Sequence, residues 1–184
     1  DIYSKGSWGL SNTTKYKIRD KYNGQPQFSY RNVIRGEKEF PDYNKSKEFF
    51  VRWNHQNDAK LNPGSTFKAT INAGTATNFR NDYNNISAQN YLTNTFNSNI
   101  AWSKRFKGAI SSNLNTSLRH TQNGNTGQMI FTLPEIAYNV NRFYPFKMLR
   151  KNSINKNFIH EIIDQTNVNY QMNTKNQISL NSEN

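Results

Sequence analysis

Nine basic side chains stand at alternate positions in several stretches of the chain, and they are the residues best suited to do chemistry. Lysine and arginine cations bind phosphate and carboxylate groups. The 184-residue chain has 24 of these residues against 12 Asp and Glu, which gives a formal net charge of +12. Within the alternating stretches the nine cations lie opposite the apolar side chains. They are Lys15, Lys17, Arg19, Arg31, Arg35, Arg52, Lys68, Arg105 and Arg119.

These cations admit three interpretations. The first is a water-filled wall with no specific ligand, and the second is a passage suited to the phosphates of a phosphorylated glycolipid. A nucleic-acid surface is the third, because strongly basic domains often bind nucleic acid. However, the cations are spread over every stretch and form no compact platform with aromatic residues, as single-strand binding proteins do. We therefore expect no nucleic-acid partner.

Residues for catalysis or metal binding are sparse. The three histidines, His55, His120 and His160, lie in different segments. The segment that begins at His160 resembles the zinc-protease pattern H-E-x-x-H, but Asp164 stands where the second histidine is needed. There are no cysteines, which excludes disulfides and thiolate metal sites. We expect no catalytic residue, no metal site, no cofactor and no enzyme activity.

The elements that position these side chains are predicted to be strands. Apolar and polar residues alternate, so each strand has one apolar and one polar face. The stretch 91–120 predicts the clearest hairpin, with arms at 91–106 and 109–120. Arms of this length exceed the usual strand of about 5–6 residues and suit a membrane crossing, which needs roughly 9–11. The predicted strands are 6–19, 26–35, 47–56, 66–77, 91–106, 109–120, 128–143 and 166–180.

The composition fits a membrane β-barrel. Hydrophobic residues make up only 34% of the chain, as expected when every second residue faces a polar interior. We predict an all-β fold, an antiparallel transmembrane β-barrel, with residues 1–184 forming about eight strands of a larger barrel. The chain begins and ends within strand-like patterns, so we expect it to be an internal piece of a longer protein.

The connections predict turns, loops and one bulge. Asn23-Gly24 and Lys107-Gly108 are predicted hairpin turns, residues 57–65 are a predicted turn, and residues 36–46, 78–90 and 121–127 are predicted loops. The apolar parity changes at Pro134, which predicts a β-bulge. Barrels of the outer membrane have short periplasmic turns and longer external loops. The 107–108 turn is therefore predicted to be periplasmic and the 78–90 loop extracellular.

The two faces predict which side of the sheet is wet. The nine cations are expected in the lumen, because a cation on the lipid face costs about 2–4 kcal/mol at mid-membrane. Lys104 and His120 break the rule near the ends of their strands, where long side chains can reach the interface. In the 91–120 hairpin, residues such as Phe96, Ile100 and Leu114 are expected to face lipid.

Aromatic residues near the predicted strand ends suggest an interfacial girdle. Aromatic residues are also common in ordinary sheets, so packing within the sheet is the alternative. The predicted girdle comprises Trp8, Trp102, Phe106, Phe143, Tyr144 and Phe146.

The order of several segments resembles the lipopolysaccharide-assembly outer-membrane protein family (LptD/OstA). These segments are DIYSKGSWGLSNTTKYKIRDKYNGQ, KEFFVRWNHQNDAKLNPGSTFKATINAG, YLTNTFNSNIAWSKRF and LPEIAYNVNRFYPFK. The resemblance covers about residues 1–148, and 149–184 match less well. It carries over no catalytic residue, and the disulfide switch of the family cannot be carried over because this chain has no cysteine.

The resemblance implies a barrel in the outer membrane of a gram-negative bacterium. It implies that the barrel assembles lipopolysaccharide and translocates it to the outer leaflet. The implied partners are lipopolysaccharide, a plug lipoprotein, periplasmic bridge proteins, the barrel-assembly machinery and outer-membrane lipid. The alternatives are another outer-membrane barrel, such as a nutrient receptor or porin, and a soluble glycan-binding β-sandwich or adhesin.

Overall fold

The fold is a single antiparallel sheet, as the alternation predicts. A computed structural model describes residues 6–75, 95–124, 126–149 and 163–181. Its strands are β1 (Trp8–Thr13), β2 (Tyr16–Ile18), β3 (Tyr22–Arg35), β4 (Asn44–Asn57), β5 (Ser65–Gly74), β6 (Thr95–Phe106), β7 (Ser112–Asn123), β8 (Gln128–Phe143) and β9 (Val168–Asn181). A short helix, α1 (Pro145–Leu149), follows β8.

The sheet is a meander in which successive strands pair. Its order is β1-β3-β4-β5-β6-β7-β8-β9, and β2 pairs with β3 beside β1. The sheet is open, because β1 and β2 form one edge and β9 forms the other. The all-β, antiparallel prediction is confirmed, and an open sheet of nine strands is consistent with a section of a larger barrel. Among the described helical residues, none form a helix long and apolar enough to cross a membrane.

The predicted strand over 6–19 is instead two strands with a break at 14–15. The registers of β1 and β2 place Thr14 opposite Pro26, and the Thr14 N–H donates to the Pro26 carbonyl at 3.0 Å. A regular antiparallel pair would exchange a second bond. Proline has no N–H to donate, so the ladder is interrupted here. Pro26 itself lies within β3, which begins four residues before the predicted start.

The predicted turn at Asn23-Gly24 is wrong. Both residues lie in β3, where Asn23 pairs with Lys17 and Gly24 with Tyr16. The chain reverses earlier, at 19–21, and Asp20 takes the left-handed conformation with a φ of 60°. Aspartate tolerates that conformation better than most residues, so it can replace glycine in the turn.

The turn between β6 and β7 is longer than predicted, whereas the predicted bulge is present. The β6–β7 turn covers 107–111 rather than 107–108, because Phe106 pairs with Ser112. The predicted bulge at Pro134 is confirmed by register shifts between Thr132 and Glu135 and between Ser117 and Arg119. The 78–90 loop, residues 91–94 and His160 lie outside the described residues.

Candidate functional site

The sheet has two chemically different faces, which the strand registers define. The cationic face carries Arg31 and Arg52, opposite Glu48 and Gln27 respectively, and continues through Lys68, which pairs with Ala101. Cross-strand partners lie on the same face, so strands β2 to β7 each contribute at least one cation. The predicted cations that lie in strands on this face are Lys17, Arg31, Arg35, Arg52, Lys68, Arg105 and Arg119, and Lys175 of β9 shares the face.

Two of the nine predicted cations lie outside the strands. Lys15 is in the break between β1 and β2. Arg19 is in the 19–21 turn, where its side chain is 95% exposed and lies 3.6 Å from Asp20. Arg19 therefore lies beyond the strands, whereas the registers on either side of the break place Lys15 on the side of Lys17.

Carboxylates neutralise two cations of the face. Arg31 Nη2 lies 3.1 Å from Oε2 of Glu48, whose side chain is fully buried. Arg119 Nη2 lies 2.7 Å from Glu135 Oε2. These two ion pairs lower the net positive charge of the cationic face at Arg31 and at Arg119.

Three other cations have no carboxylate partner within the described residues. Arg52 lies over the Phe50 ring, with 5.2 Å between the guanidinium carbon and the ring centroid. Arg105 Nε donates to Asn113 Oδ1 at 3.3 Å. No salt bridge involves Lys68 in the described part of the chain. These three, with Lys17, which also has no salt bridge in the described residues, carry uncompensated positive charge on the face.

A shallow depression of about 270 Å³ lies on the cationic face where β5 to β8 run side by side. Its floor is low because Ala101 and Ala137 have small side chains. Lys68 borders it on β5, while Arg119 and Glu135 border it on β7 and β8. The depression thus combines an apolar floor with charged walls.

The opposite surface, called here the aromatic face, is exposed along its length. Large apolar side chains on it are more than a third exposed, including Phe28, Phe49 and Tyr170 at 41%, 44% and 52%. Only Ala69 and Phe96 form a buried apolar core in the described residues. An extended exposed apolar surface marks a membrane or protein interface, and here it belongs to strands long enough to cross a membrane.

The predicted girdle residues lie at the strand ends, on both rims. Phe106 and Phe143 end β6 and β8, and Tyr144 and Phe146 follow β8 directly. Trp102 lies four residues before the end of β6, and its Nε1–H donates to Ser65 Oγ at 3.1 Å. Trp8 begins β1 on the opposite rim, with its ring 5.3 Å from Tyr30. That these residues meet a membrane interface stays a prediction.

An aromatic cluster around His55 was missed by the sequence patterns. The rings of Tyr16, Tyr22, Trp53 and Phe67 all lie within 6 Å of the His55 ring. Each residue shares the apolar parity of its own strand, which is a signal present in the sequence. Grouping them needs the register of four strands, which the sequence alone does not provide.

The exceptions to the alternation have partners of their own. Lys104 Nζ lies 5.9 Å from the Phe106 ring centroid on the aromatic face, and His120 packs against Phe131 with ring centroids 4.9 Å apart.

The prediction that Phe96 faces lipid is wrong, because the side chain is 1% exposed and its ring lies 6.2 Å from Phe50. The β5–β6 ladder stops at Thr70 and Asn99, so Phe96 lies in the part of β6 that does not pair with β5.

No group of three His, Cys, Asp or Glu residues that could hold a metal ion occurs in the described part of the chain. The segment from His160 falls mostly outside it.

A long antiparallel meander with one exposed apolar face and one cationic face defines the class of outer-membrane β-barrel walls. A family model described as LptD protein matches residues 1–184, and the chain belongs to this family. It is therefore an outer-membrane protein of gram-negative bacteria in lipopolysaccharide transport. No curated protein and no solved structure matches the chain.

Proposed function

We propose that this sheet is part of the wall of a barrel that assembles lipopolysaccharide and translocates it to the outer leaflet. The cationic face lines the lumen, and the aromatic face contacts outer-membrane lipid. The barrel works as a transporter, and no catalytic step is assigned to it.

The observation that carries the proposal is the separation of exposed apolar and cationic surfaces on two sides of one sheet. A soluble β-sandwich would bury its apolar face against a second layer, whereas residues such as Leu10 and Leu180 here are 59% and 52% exposed. A lipid environment is the solvent in which such a face is stable, and the polar face must then be turned to water.

The charge of the cationic face suits the cargo. Lipopolysaccharide carries phosphate groups on its sugars, and cations without carboxylate partners attract such anions most strongly. Arg52, Lys68 and Arg105 supply this charge on three strands. Because the side chains are exposed or half-buried, the attraction is weak enough for the lipid to pass on.

Membership of the family supports lipopolysaccharide and periplasmic bridge proteins as partners, and we propose a plug lipoprotein and the barrel-assembly machinery as further partners. Periplasmic bridge proteins deliver the lipid, a plug lipoprotein occupies the lumen, and the barrel-assembly machinery inserts the strands. The cationic face is the surface that would meet a plug in the lumen. The aromatic face would meet the surrounding lipid.

The test reverses charge in the lumen of the full-length protein. Arg52→Glu with Arg105→Glu replaces two uncompensated cations, and we expect surface delivery of lipopolysaccharide to fall severalfold at equal barrel content of the membrane. Delivery is measured as labelled lipopolysaccharide accessible at the cell surface. The matched control is Lys38→Glu with Lys107→Glu, which makes the same charge change in connections beyond the strands.

The two variants separate a lumen effect from a general charge effect. Unchanged delivery in the Arg52 and Arg105 variant, or an equal loss in the control, would contradict the lumen role. Heat-modifiable electrophoretic mobility, which reports a folded barrel, is measured for both variants so that delivery is compared only between folded proteins.

A further inference from the structure

The depression on the cationic face is built from two neighbouring cross-strand rows. The first row reads Lys68, Ala101, Ser117 and Glu135 across β5, β6, β7 and β8. The second row reads Thr66, Ser103, Asn115 and Ala137 across the same strands. Strands lie about 4.8 Å apart, so the backbones at the two ends of a row are roughly 14 Å apart.

In the first row two small residues, Ala101 and Ser117, lie between the Lys68 cation and the Glu135 carboxylate. Lys68 stands at the β5 end without a salt bridge in the described residues, and Glu135 stands at the β8 end with Arg119 2.7 Å away. At its end the Glu135 carboxylate neutralises Arg119 and accepts hydrogen bonds from hydroxyl groups. An anionic group is therefore directed to Lys68 and hydroxyl groups to the other end.

The second row adds polar groups beside the apolar floor. The hydroxyls of Thr66 and Ser103 are 2.6 Å apart and hydrogen-bonded, and the exposed Asn115 amide can both donate and accept. Ala101 and Ala137 leave room above the sheet between these groups. The arrangement of an apolar floor, amide and hydroxyl groups and one cation without a salt bridge in the described residues is complementary to a sugar ring that carries a phosphate.

We propose that this depression binds a phosphorylated hexose unit of the glycolipid, with its phosphate at Lys68 and its ring over Ala101 and Ala137. The ring hydroxyls then meet Asn115 and Glu135. The volume of about 270 Å³ is below the roughly 300–1,000 Å³ of most small-molecule pockets, so the site holds one sugar unit and not the whole lipid. The assignment rests on the proposed transport function, since that function supplies the ligand.

The experiment measures binding of glucose 1-phosphate to the purified full-length protein in detergent, with glucose and inorganic phosphate as comparison probes. We expect glucose 1-phosphate to bind at least about tenfold more tightly than either comparison probe. Lys68→Gln should weaken its binding about tenfold, as for one lost hydrogen bond to a charged group. Ala101→Leu with Ala137→Leu fills the depression and should abolish binding.

The matched control is Lys175→Gln. Lys175 lies on β9 opposite Glu135, on the same face and outside the residues that line the depression, so binding should not change. An equal loss in this control, or unchanged binding in Lys68→Gln, would overturn the site. The variant with Ala101→Leu and Ala137→Leu could fail to fold. The Lys68→Gln result, obtained with protein of normal heat-modifiable mobility, therefore tests the site without it.

Two further results separate the site from the transport function. Deacylated lipopolysaccharide keeps the phosphorylated sugars and should compete with glucose 1-phosphate; absence of competition overturns the assignment of the glycolipid as ligand. If charge reversal at Arg52 and Arg105 leaves surface delivery intact while these binding results hold, the transport proposal fails and the sugar-phosphate site stands. If delivery falls and Lys68→Gln binds normally, the site fails alone.

Discussion

The phenol oxygen of Tyr16 occupies the space above Gly24, where any Cβ atom would overlap it. Tyr16 on β2 thereby crosses β3 and reaches β4. Trp53 Nε1–H can only donate, and it donates to the Tyr16 oxygen at 2.9 Å. The Tyr16 hydroxyl also forms a hydrogen bond with His55 Nδ1 at 2.7 Å, and His55 Nε2 forms one with Asn57 Oδ1 at 3.0 Å. One side chain thus fastens the short edge strand β2 to the second strand inward.

Replacing Gly24 by alanine should break this contact. The added methyl group would overlap Tyr16 and would lie 2.7 Å from the Asn54 carbonyl oxygen, which is backbone and cannot move aside. Overpacking of this kind costs about 1–3 kcal/mol, which urea unfolding of the full-length barrel measures. Gly108→Ala is the control, because the nearest atom there is 3.8 Å away. Equal stability of the two variants would contradict the role given to Gly24.

The Ser98 hydroxyl replaces a missing rung of the β5–β6 ladder. It accepts from the Asn72 N–H at 3.0 Å and donates to the Asn72 carbonyl at 3.1 Å. Ser98→Ala should leave both backbone groups unpaired and cost about 1–3 kcal/mol in the free energy of unfolding. Ser103→Ala removes a hydroxyl of the same strand that bonds only to the Thr66 hydroxyl among the described residues, and it should cost less. Similar losses in both variants would show that Ser98 has no special role.

Local patterns predicted the fold and the sides of its strands, because alternation is a property of each strand alone. The parity change at Pro134 even predicted the bulge between β7 and β8. The same reasoning failed at Asn23-Gly24, a dipeptide that is common in hairpin turns but lies within β3 here. Gly24 is needed inside β3 because the Tyr16 side chain on β2 fills its space, and that contact depends on the β2–β3 register, which the turn signal does not reveal.

The candidate site was predicted in part. The parity of Arg52, Lys68 and Arg105 was enough to place them on one face. The depression could not be predicted, because Ala101 and Ala137 become neighbours of Lys68 and Glu135 only through three strand registers. The pairing of Arg31 with Glu48 likewise depends on the β3–β4 register, which no turn signal in the 36–46 loop fixes.

Pro26 interrupts the edge ladder, and replacing it should repair the ladder. In Pro26→Ala the new N–H can donate to the Thr14 carbonyl and join β1 to β2. We expect a slowly exchanging amide at residue 26 in hydrogen-exchange measurements. The gain of a hydrogen bond, about 0.5–1.5 kcal/mol, is offset by the extra freedom of the unfolded chain, about 0.4–1 kcal/mol. The stability should therefore change little. Pro41→Ala in the loop before β4 is the control and should give a rapidly exchanging amide.

Replacing Arg31 should lower the stability of the protein more than replacing Glu48, its partner in a buried ion pair. Arg31→Gln leaves the fully buried Glu48 carboxylate without its arginine, which costs about 3–5 kcal/mol in stability. Glu48→Gln leaves a guanidinium whose side chain is 30% exposed and can be hydrated, so the loss should be smaller. The double variant should be more stable than Arg31→Gln alone, because no buried charge then lacks a partner. Urea unfolding of the three variants measures this order, with the exposed Arg105→Gln as control at about 0.5 kcal/mol. A double variant less stable than Arg31→Gln would mean that the carboxylate is stabilised by groups other than Arg31.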